Sequence, residues 1–245
     1  MVRVVALVLA AGSGDRLGAG IPKALAPLRG RPMLQHALEV VAESGVADTA
    51  VVVVPDPARS RFESLVRELQ RALRIESLVA GGATRQESVR LGLDVLSGGA
   101  DVVLCHDAAR PLATSELFRR VVGGLGGVEG CVPIIPTPDT VKLVQAGRVV
   151  RTIPRAQVGL AQTPQAFVLS ALLDAHARAL REGEEGTDDA MLVEAAGYSV
   201  AAVEGEMENF KITTPEDLRR AEQILAERVG PGQGERFGLG EGVSP

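Results

Sequence analysis

The sequence predicts an α/β fold: a Rossmann-like three-layer αβα sandwich around a mainly parallel, twisted sheet, with one β-hairpin projecting as a dimerisation arm. Three observations carry this. Short Val-rich apolar runs alternate with segments whose apolar residues recur at helical spacing. Those runs are apolar throughout rather than at every second position, the pattern of strands covered on both faces. Of the 245 residues, 46% are hydrophobic but only 2% aromatic, and Trp is absent, so the core is built from Val, Leu, Ile and Ala. Repeated strand–helix order is met by a parallel sheet with helices on both sides.

Residues 2–9 form a buried first strand. Met33, Leu34, Ala37, Leu38 and Val41 mark a helix, with Pro32 suited to its first turn. Residues 50–54 are a second strand, stopped by Pro55. Phe62, Leu65, Val66, Leu69 and Leu73 trace the next helix. Residues 75–79 are a short strand ended by Gly81-Gly82, and Thr84 with Glu87 is a capping box that opens a helix. Residues 101–105 form a strand leading into His106-Asp107-Ala108-Ala109-Arg110-Pro111. Leu117, Phe118, Val121, Val122 and Leu125 form a helical stripe, and residues 132–135 a further strand.

After Pro136 the rhythm breaks. Two β-rich runs, 139–144 and 148–153, flank Gln145-Ala146-Gly147 and read as a hairpin. Because it interrupts the alternation, it projects from the sheet, and its exposed edges suit an arm over about 137–154 that joins a homodimer. The alternation resumes at Phe167 with Leu169, Leu172 and Leu173. Thr187-Asp188-Asp189 start a helix, residues 199–203 form a last strand, and Thr214-Pro215 with Asp217 opens a terminal helix. This predicts a single domain over 1–229. Residues 230–245 are Gly-rich with little apolar content and read as a disordered, non-catalytic tail.

In such sheets ligands bind beyond the carboxyl ends of the strands. The loops that matter therefore begin at Gly12, Gly81, His106 and Pro136. The first is Gly12-Ser13-Gly14-Asp15-Arg16-Leu17-Gly18, with Lys23 seven residues after Arg16. Glycines let backbone N–H groups approach phosphate oxygens, and a guanidinium and an ammonium supply positive charge. The dinucleotide fingerprint fails, because Leu17 occupies the third glycine position and Asp56 comes too late for the acidic partner. No Walker string is present. A long basic loop running to about Gly30 fits a nucleoside triphosphate better than either.

Composition closes other routes. The net charge is -5 and the pI about 5.4, so no global basic field draws nucleic acid or an anionic membrane. No apolar stretch approaches the roughly 18 residues of a membrane span. Arg3 and the apolar run after it superficially match a secretion signal, but the glycine-rich stretch from Gly12 has the character of a site, and a first strand is the better reading. Cys105 and Cys131 adjoin apolar runs without a C-x-x-C, which suits small buried residues in a reducing, cytoplasmic setting.

Taken in order, L-A-A-G-S-G-D-R-L with P-K, G-G-A-T-R-Q-E-S-V, H-D-A-A-R-P, D-T-V-K, T-P-Q-A-F, T-D-D-A and E-G-E-M-E-N-F-K-I-T-T-P-E-D-L have a name. In spacing they resemble the 2-C-methyl-D-erythritol 4-phosphate cytidylyltransferases of non-mevalonate isoprenoid biosynthesis, over nearly all of 2–227. The resemblance implies transfer of CMP from CTP to the sugar-alcohol phosphate, release of pyrophosphate, and a need for Mg2+.

That reaction is an in-line attack by one anion on another. Catalysis is then positioning and charge neutralisation, with no protein nucleophile. Arg16 and Lys23 are the transition-state stabilisers on the first loop, as their family counterparts are. By the resemblance, Arg155 and Lys211 hold the erythritol phosphate in line. Arg155 and Thr140, on or beside the hairpin, reach into the partner subunit's site. Gly82 and Ser88, with Ala10, Ala11, Gly12 and Gly14, match the nucleotide pocket; Ala83 replaces an acidic residue of some relatives. Thr163 and Thr187 match contacts to the second substrate. Asp107 has three open roles: substrate hydroxyls, the ribose, or the Mg2+ shell shared with the CTP phosphates. Arg110 suits a phosphate or a structural partner equally. His106 adjoins the site without needing to titrate. His36 and His176 read as structural, and Glu184-Glu185 and Asp188-Asp189 as a solvated loop and helix start. The enzyme alternative is a ribitol-5-phosphate cytidylyltransferase. The alternative of another class is a non-catalytic nucleotide-binding regulator, against which Arg16, Lys23, Arg155 and Lys211 together speak.

Overall fold

Strand β1 (Val4–Leu9) shows why this sequence makes three layers. It is paired in parallel on one side with β4 (Thr49–Val54) and on the other with β6 (Val102–Asp107). Successive side chains of a strand point to opposite faces, and here both faces are buried. Val4, Ala6 and Val8 join a core with Leu34, Leu38 and Val41 of α1 (Met33–Ser44), Phe62 and Val66 of α2 (Arg59–Leu69), and Leu117 and Phe118 of α4 (Ser115–Gly123). Val5 and Leu7 join a second core with Val89 and Leu93 of α3 (Arg85–Asp94), Leu172 of α5 (Leu169–Glu182) and Val193 of α6 (Asp189–Ala195). The computed structural model describes residues 2–14, 17, 20–70, 72–96 and 99–229; Arg16 and the tail at 230–245 lie outside the described residues.

The main sheet has eight strands. From one edge it runs β5 (Ile75–Ala80), β4, β1, β6, β11 (Gln165–Val168) and β7 (Gly130–Pro136), and β7 also pairs with β10 (Gly159–Ala161) and β12 (Val200–Glu204). Only β10 and β11 run against the rest. The parallel α/β expectation therefore holds, with two antiparallel strands it did not contain. Among the described residues no helix is long and apolar enough to cross a membrane.

Four local expectations are corrected. The segment before the first helix is not one open loop: it holds a 3-10 turn at Lys23–Leu25 and a small hairpin, β2 (Pro27–Leu28) with β3 (Arg31–Pro32). Pro32 stands at the N-cap of α1 rather than in its first turn. β6 extends two residues beyond 105, so His106 and Asp107 are strand residues paired to Val8 and Leu9, not loop residues. The capping box at Thr84 is displaced: Thr84 Oγ1 accepts from Glu87 N, but Glu87 Oε2 accepts from Ala83 N, one residue early.

The hairpin forms as expected. β8 (Val141–Gln145) pairs with β9 (Arg148–Ile153) as a separate two-stranded sheet, turned at Ala146 and Gly147, both with positive φ. Val144, Val149 and Val150 on it are more than half exposed. The last helix, α7 (Pro215–Val229), packs with β2 and with Ile212 in a third small cluster.

Candidate active site

Backbone geometry builds the site before any side chain does. The ladders of β1 and its neighbours continue past the strands: Ala10 N donates to Val53 O at 2.7 Å, Gly81 N to Val54 O at 2.9 Å, and Ala108 N to Leu9 O at 3.0 Å. Three post-strand segments are thereby held side by side at one sheet edge. The first closes on itself, Lys23 N donating to Gly12 O at 3.3 Å. Gly14 permits this closure; its φ is +82°, and a Cβ there would meet Lys23 N at 3.0 Å. Gly81 lets the second segment touch the first, since a Cβ would fall 2.4 Å from the Ala11 Cβ.

Between these segments lies a cavity of about 570 Å³. Ala10, Ala11, Gly12, Gly14, Lys23, Gly82, Ser88, Asp107 and Lys211 line it. Ser88 Oγ accepts from Gly82 N at 3.1 Å and donates to Thr84 O at 2.9 Å, which shapes the Gly81-Gly82 turn.

Asp107 is the acidic residue on the wall, 7% exposed. Each oxygen meets a cation: Oδ1 accepts from Arg85 Nε at 3.2 Å, Oδ2 from Lys211 Nζ at 2.7 Å. Burial alone raises a carboxyl, but Arg85 and then Lys211 more than offset it and hold Asp107 well below the usual carboxylate range. Its backbone N donates to Thr163 Oγ1 at 3.0 Å. Thr163 is itself 4% exposed and begins a cis bond to Pro164.

Lys211 arrives on residues 205–213, after β12, tied down by a polar strap. Asn209, fully buried, donates from Nδ2 to Thr163 O at 2.9 Å and Gln162 Oε1 at 3.2 Å. Ile212 N donates to Ala109 O at 2.8 Å. Arg110 belongs to this strap: its Nη1 donates to Asn209 O at 2.7 Å. Arg110 thereby braces residues 205–213 against the end of β6.

Two residues were missed. Arg85 lines the cavity and bridges Asp107 to Asp189, its Nη1 lying 2.8 Å from Asp189 Oδ2. Asp189 is not solvated: it is 1% exposed, and its Oδ1 pairs with His176 Nε2 at 3.1 Å. The N-cap role at α6 falls to Asp188, which accepts from Met191 N. The signal available for Arg85 was a basic residue just past a strand-end glycine pair. His106 is fully buried; burial holds its imidazole down at about 4, so it is neutral at ordinary pH.

The remaining candidates lie elsewhere. Thr140 and Arg155 are exposed and do not line the cavity of their own chain, and Arg155 Nη1 donates to Pro138 O at 3.2 Å. Thr187 is exposed on the approach to α6. Among the described residues no group of three His, Cys, Asp or Glu could hold a metal ion. Asp107 is the one carboxylate on the wall among the described residues, and both of its oxygens are paired.

The family model for IspD, 2-C-methyl-D-erythritol 4-phosphate cytidylyltransferase, matches residues 4–227. The chain is 44% identical over 232 residues to a bifunctional enzyme IspD/IspF of Rhodopseudomonas palustris, covering 93% of this chain and 57% of that protein. It is 42% identical to a 2-C-methyl-D-erythritol 4-phosphate cytidylyltransferase of Geobacter metallireducens, covering 92% and 99%. The chain thus spans little more than half the length of the bifunctional relatives it matches. A crystal structure of 2-C-methyl-D-erythritol 4-phosphate cytidylyltransferase from Thermus thermophilus superposes with a TM-score of 0.74 at 37% identity, covering 91% of this chain and 98% of that one.

Proposed function

The chain belongs to the 2-C-methyl-D-erythritol 4-phosphate cytidylyltransferase family, and from that premise we propose that it transfers CMP from CTP to 2-C-methyl-D-erythritol 4-phosphate. A phosphate oxygen of the polyol attacks the α-phosphorus of CTP. The bond from that phosphorus to the bridging oxygen breaks, and its electron pair leaves with pyrophosphate. The observation that carries this reading is one cavity in which Lys23 and Lys211 face glycine-rich backbone at the ends of β1 and β5.

The division of labour is set by charge. Ala10, Ala11, Gly12, Gly14, Gly82 and Ser88 take the nucleoside, offering a narrow slot of backbone groups and one hydroxyl. Lys23, with Arg16 from the same loop, neutralises the triphosphate as negative charge builds on the leaving group. Lys211 takes the polyol phosphate and, through its 2.7 Å pair with Asp107, is held in place rather than searching rotamers. Thr163 and Thr187 are proposed contacts to the polyol, and Mg2+ enters with the triphosphate as part of the substrate.

Thr140 and Arg155 complete the site of a second copy in a homodimer joined by the β8–β9 arm. The support is an isolated hairpin carrying exposed Val144, Val149 and Val150, with a further exposed Leu160 on β10. A cytoplasmic setting is proposed on two unpaired, buried cysteines.

The test is pyrophosphate release from CTP with a panel of polyol phosphates. Methylerythritol phosphate is expected to exceed ribitol 5-phosphate by a large factor, and comparable turnover of the two overturns the substrate assignment. For the arm, mixed dimers of Arg16→Ala and Arg155→Ala chains regain activity if sites are shared; verified mixed dimers that stay inactive refute sharing.

A further inference from the structure

We propose that Arg85 is a positioning residue for this transfer: by spanning Asp107 and Asp189 it fixes the Asp107 carboxylate in the orientation that holds Lys211 over the cavity. The proposal deepens the transferase reading and rests on it.

The geometry is a chain of paired polar groups running from the helical layer into the site, with Asp189, Arg85, Asp107 and Lys211 as its charged members. His176 Nε2 meets Asp189 Oδ1 at 3.1 Å, and Asp189 Oδ2 meets Arg85 Nη1 at 2.8 Å. Arg85 Nε meets Asp107 Oδ1 at 3.2 Å, and Asp107 Oδ2 meets Lys211 Nζ at 2.7 Å. These five residues come from α5, the start of α6, the start of α3, the end of β6 and the strap at 205–213. Arg85 is the one member that touches both carboxylates. A guanidinium presents several donors in a planar fork and can serve two anions at once; an ammonium on a flexible stem serves one well.

Asp189 and His176 are 1% and 3% exposed and do not line the cavity, so their end of the chain is anchored in the core. The Nη2 of Arg85 is buried without a hydrogen-bond partner among the described residues. Asp189 Oδ2 also lacks a hydrogen-bond partner, so its 2.8 Å contact with Arg85 Nη1 is an ion pair rather than an aligned hydrogen bond. With both Asp107 oxygens assigned, Lys211 is drawn to one defined point yet shares its carboxylate with a second cation. Without Arg85, the Asp107 carboxylate keeps Lys211 as its one contacting cation, with Arg110 further off, and Lys211 is pulled away from an incoming phosphate.

Arg85→Met, Arg85→Ala, Arg85→Lys and Asp189→Asn in the full chain test this, by steady-state kinetics with CTP and methylerythritol phosphate. The expected result for Arg85→Met is a KM for the polyol phosphate raised about tenfold or more, with the KM for CTP within about threefold of the parent. Asp189→Asn, which leaves the cavity wall intact, moves the same constant the same way by less. Guanidinium at tens of millimolar restores part of the activity of Arg85→Ala and none of Asp189→Asn. If Arg85→Met does not fold, Arg85→Lys carries the test, since its ammonium reaches one carboxylate only. Arg85 variants that keep the polyol KM within about twofold overturn the proposal. So does an equal loss for both substrates with no guanidinium response. A parent chain with no turnover of any polyol phosphate refutes the transferase reading instead.

Discussion

Asp107→Asn is the most informative single change, because the structure sets both its stability effect and its kinetic effect. The amide keeps the size of the carboxyl and can still accept from Arg85 Nε. Its NH2, however, then faces the Lys211 ammonium, donor against donor, where the parent has a 2.7 Å ion pair. Removing one partner of a fully buried pair costs about 3–5 kcal/mol. The cost here is smaller, because Lys211 is 40% exposed and turns to water while Arg85 keeps Asp189. About 1–2 kcal/mol is the consistent figure, and at roughly 2–4 °C per kcal/mol for a chain of this size the Tm falls by about 2–8 °C. Kinetically, an ammonium misplaced by about 1 Å from the polyol phosphate lowers kcat/KM for that substrate about 100-fold. Thermal melts and urea midpoints at neutral pH read the first quantity, and pyrophosphate release reads the second. An unchanged Tm together with kcat/KM for the polyol phosphate within about twofold of the parent would refute the view that Asp107 organises Lys211.

The same geometry sets other outcomes. Gly81→Ala places a Cβ 2.4 Å from the Ala11 Cβ, and neither methyl can rotate away. It is expected to cost about 1–3 kcal/mol of stability and to raise the CTP Kd, both seen in one titration of melting temperature against CTP. His106 is held at about 4 by burial against 6.5 for a free imidazole. Its contribution to stability is therefore complete above 6.5. It is lost as pH falls towards 4, where the unfolded chain binds a proton that the folded one refuses, a loss on the order of 3 kcal/mol. His106→Gln flattens the urea midpoint across that window; an unaltered slope contradicts a neutral buried imidazole. Asp107 and Asp189, both depressed, add losses of the same sign only at lower pH. Lysines at Val149, Val150 and Leu160, all at least half exposed, are expected to leave a monomer by sedimentation. A dimer that survives them places its interface elsewhere.

The strand-to-helix rhythm was legible because strands such as β1 bury both faces and leave an unbroken apolar run. Part of the cavity wall was legible too, since crowding demands glycine at 14, against the Lys23 backbone, and at 81, against the Ala11 Cβ. β11 was not: Gln165–Val168 runs directly into α5 without a turn, and its strand character comes from partners on β6 and β7 far away in sequence. Asp189 was misread for a similar reason. A carboxylate in the first turn of a helix has the local pattern of a solvated dipole partner; what buries it is His176 and the remote Arg85. Arg85 itself follows a capping threonine and is locally indistinguishable from an ordinary surface arginine. Side chains whose partners lie about a hundred residues away leave little local trace.

The reversed strand has a bearing on biosynthesis. β6 borders β1 on one side, and its other border is filled only by β11, more than fifty residues later in translation. A nascent chain halted before residue 165 would carry an unsealed margin of Val103, Leu104 and Cys105 backbone in the middle of what becomes the sheet. Such a margin recruits other chains. Fragments cut between the hairpin and β11 should accordingly precipitate, whereas those that retain Phe167 should remain in solution.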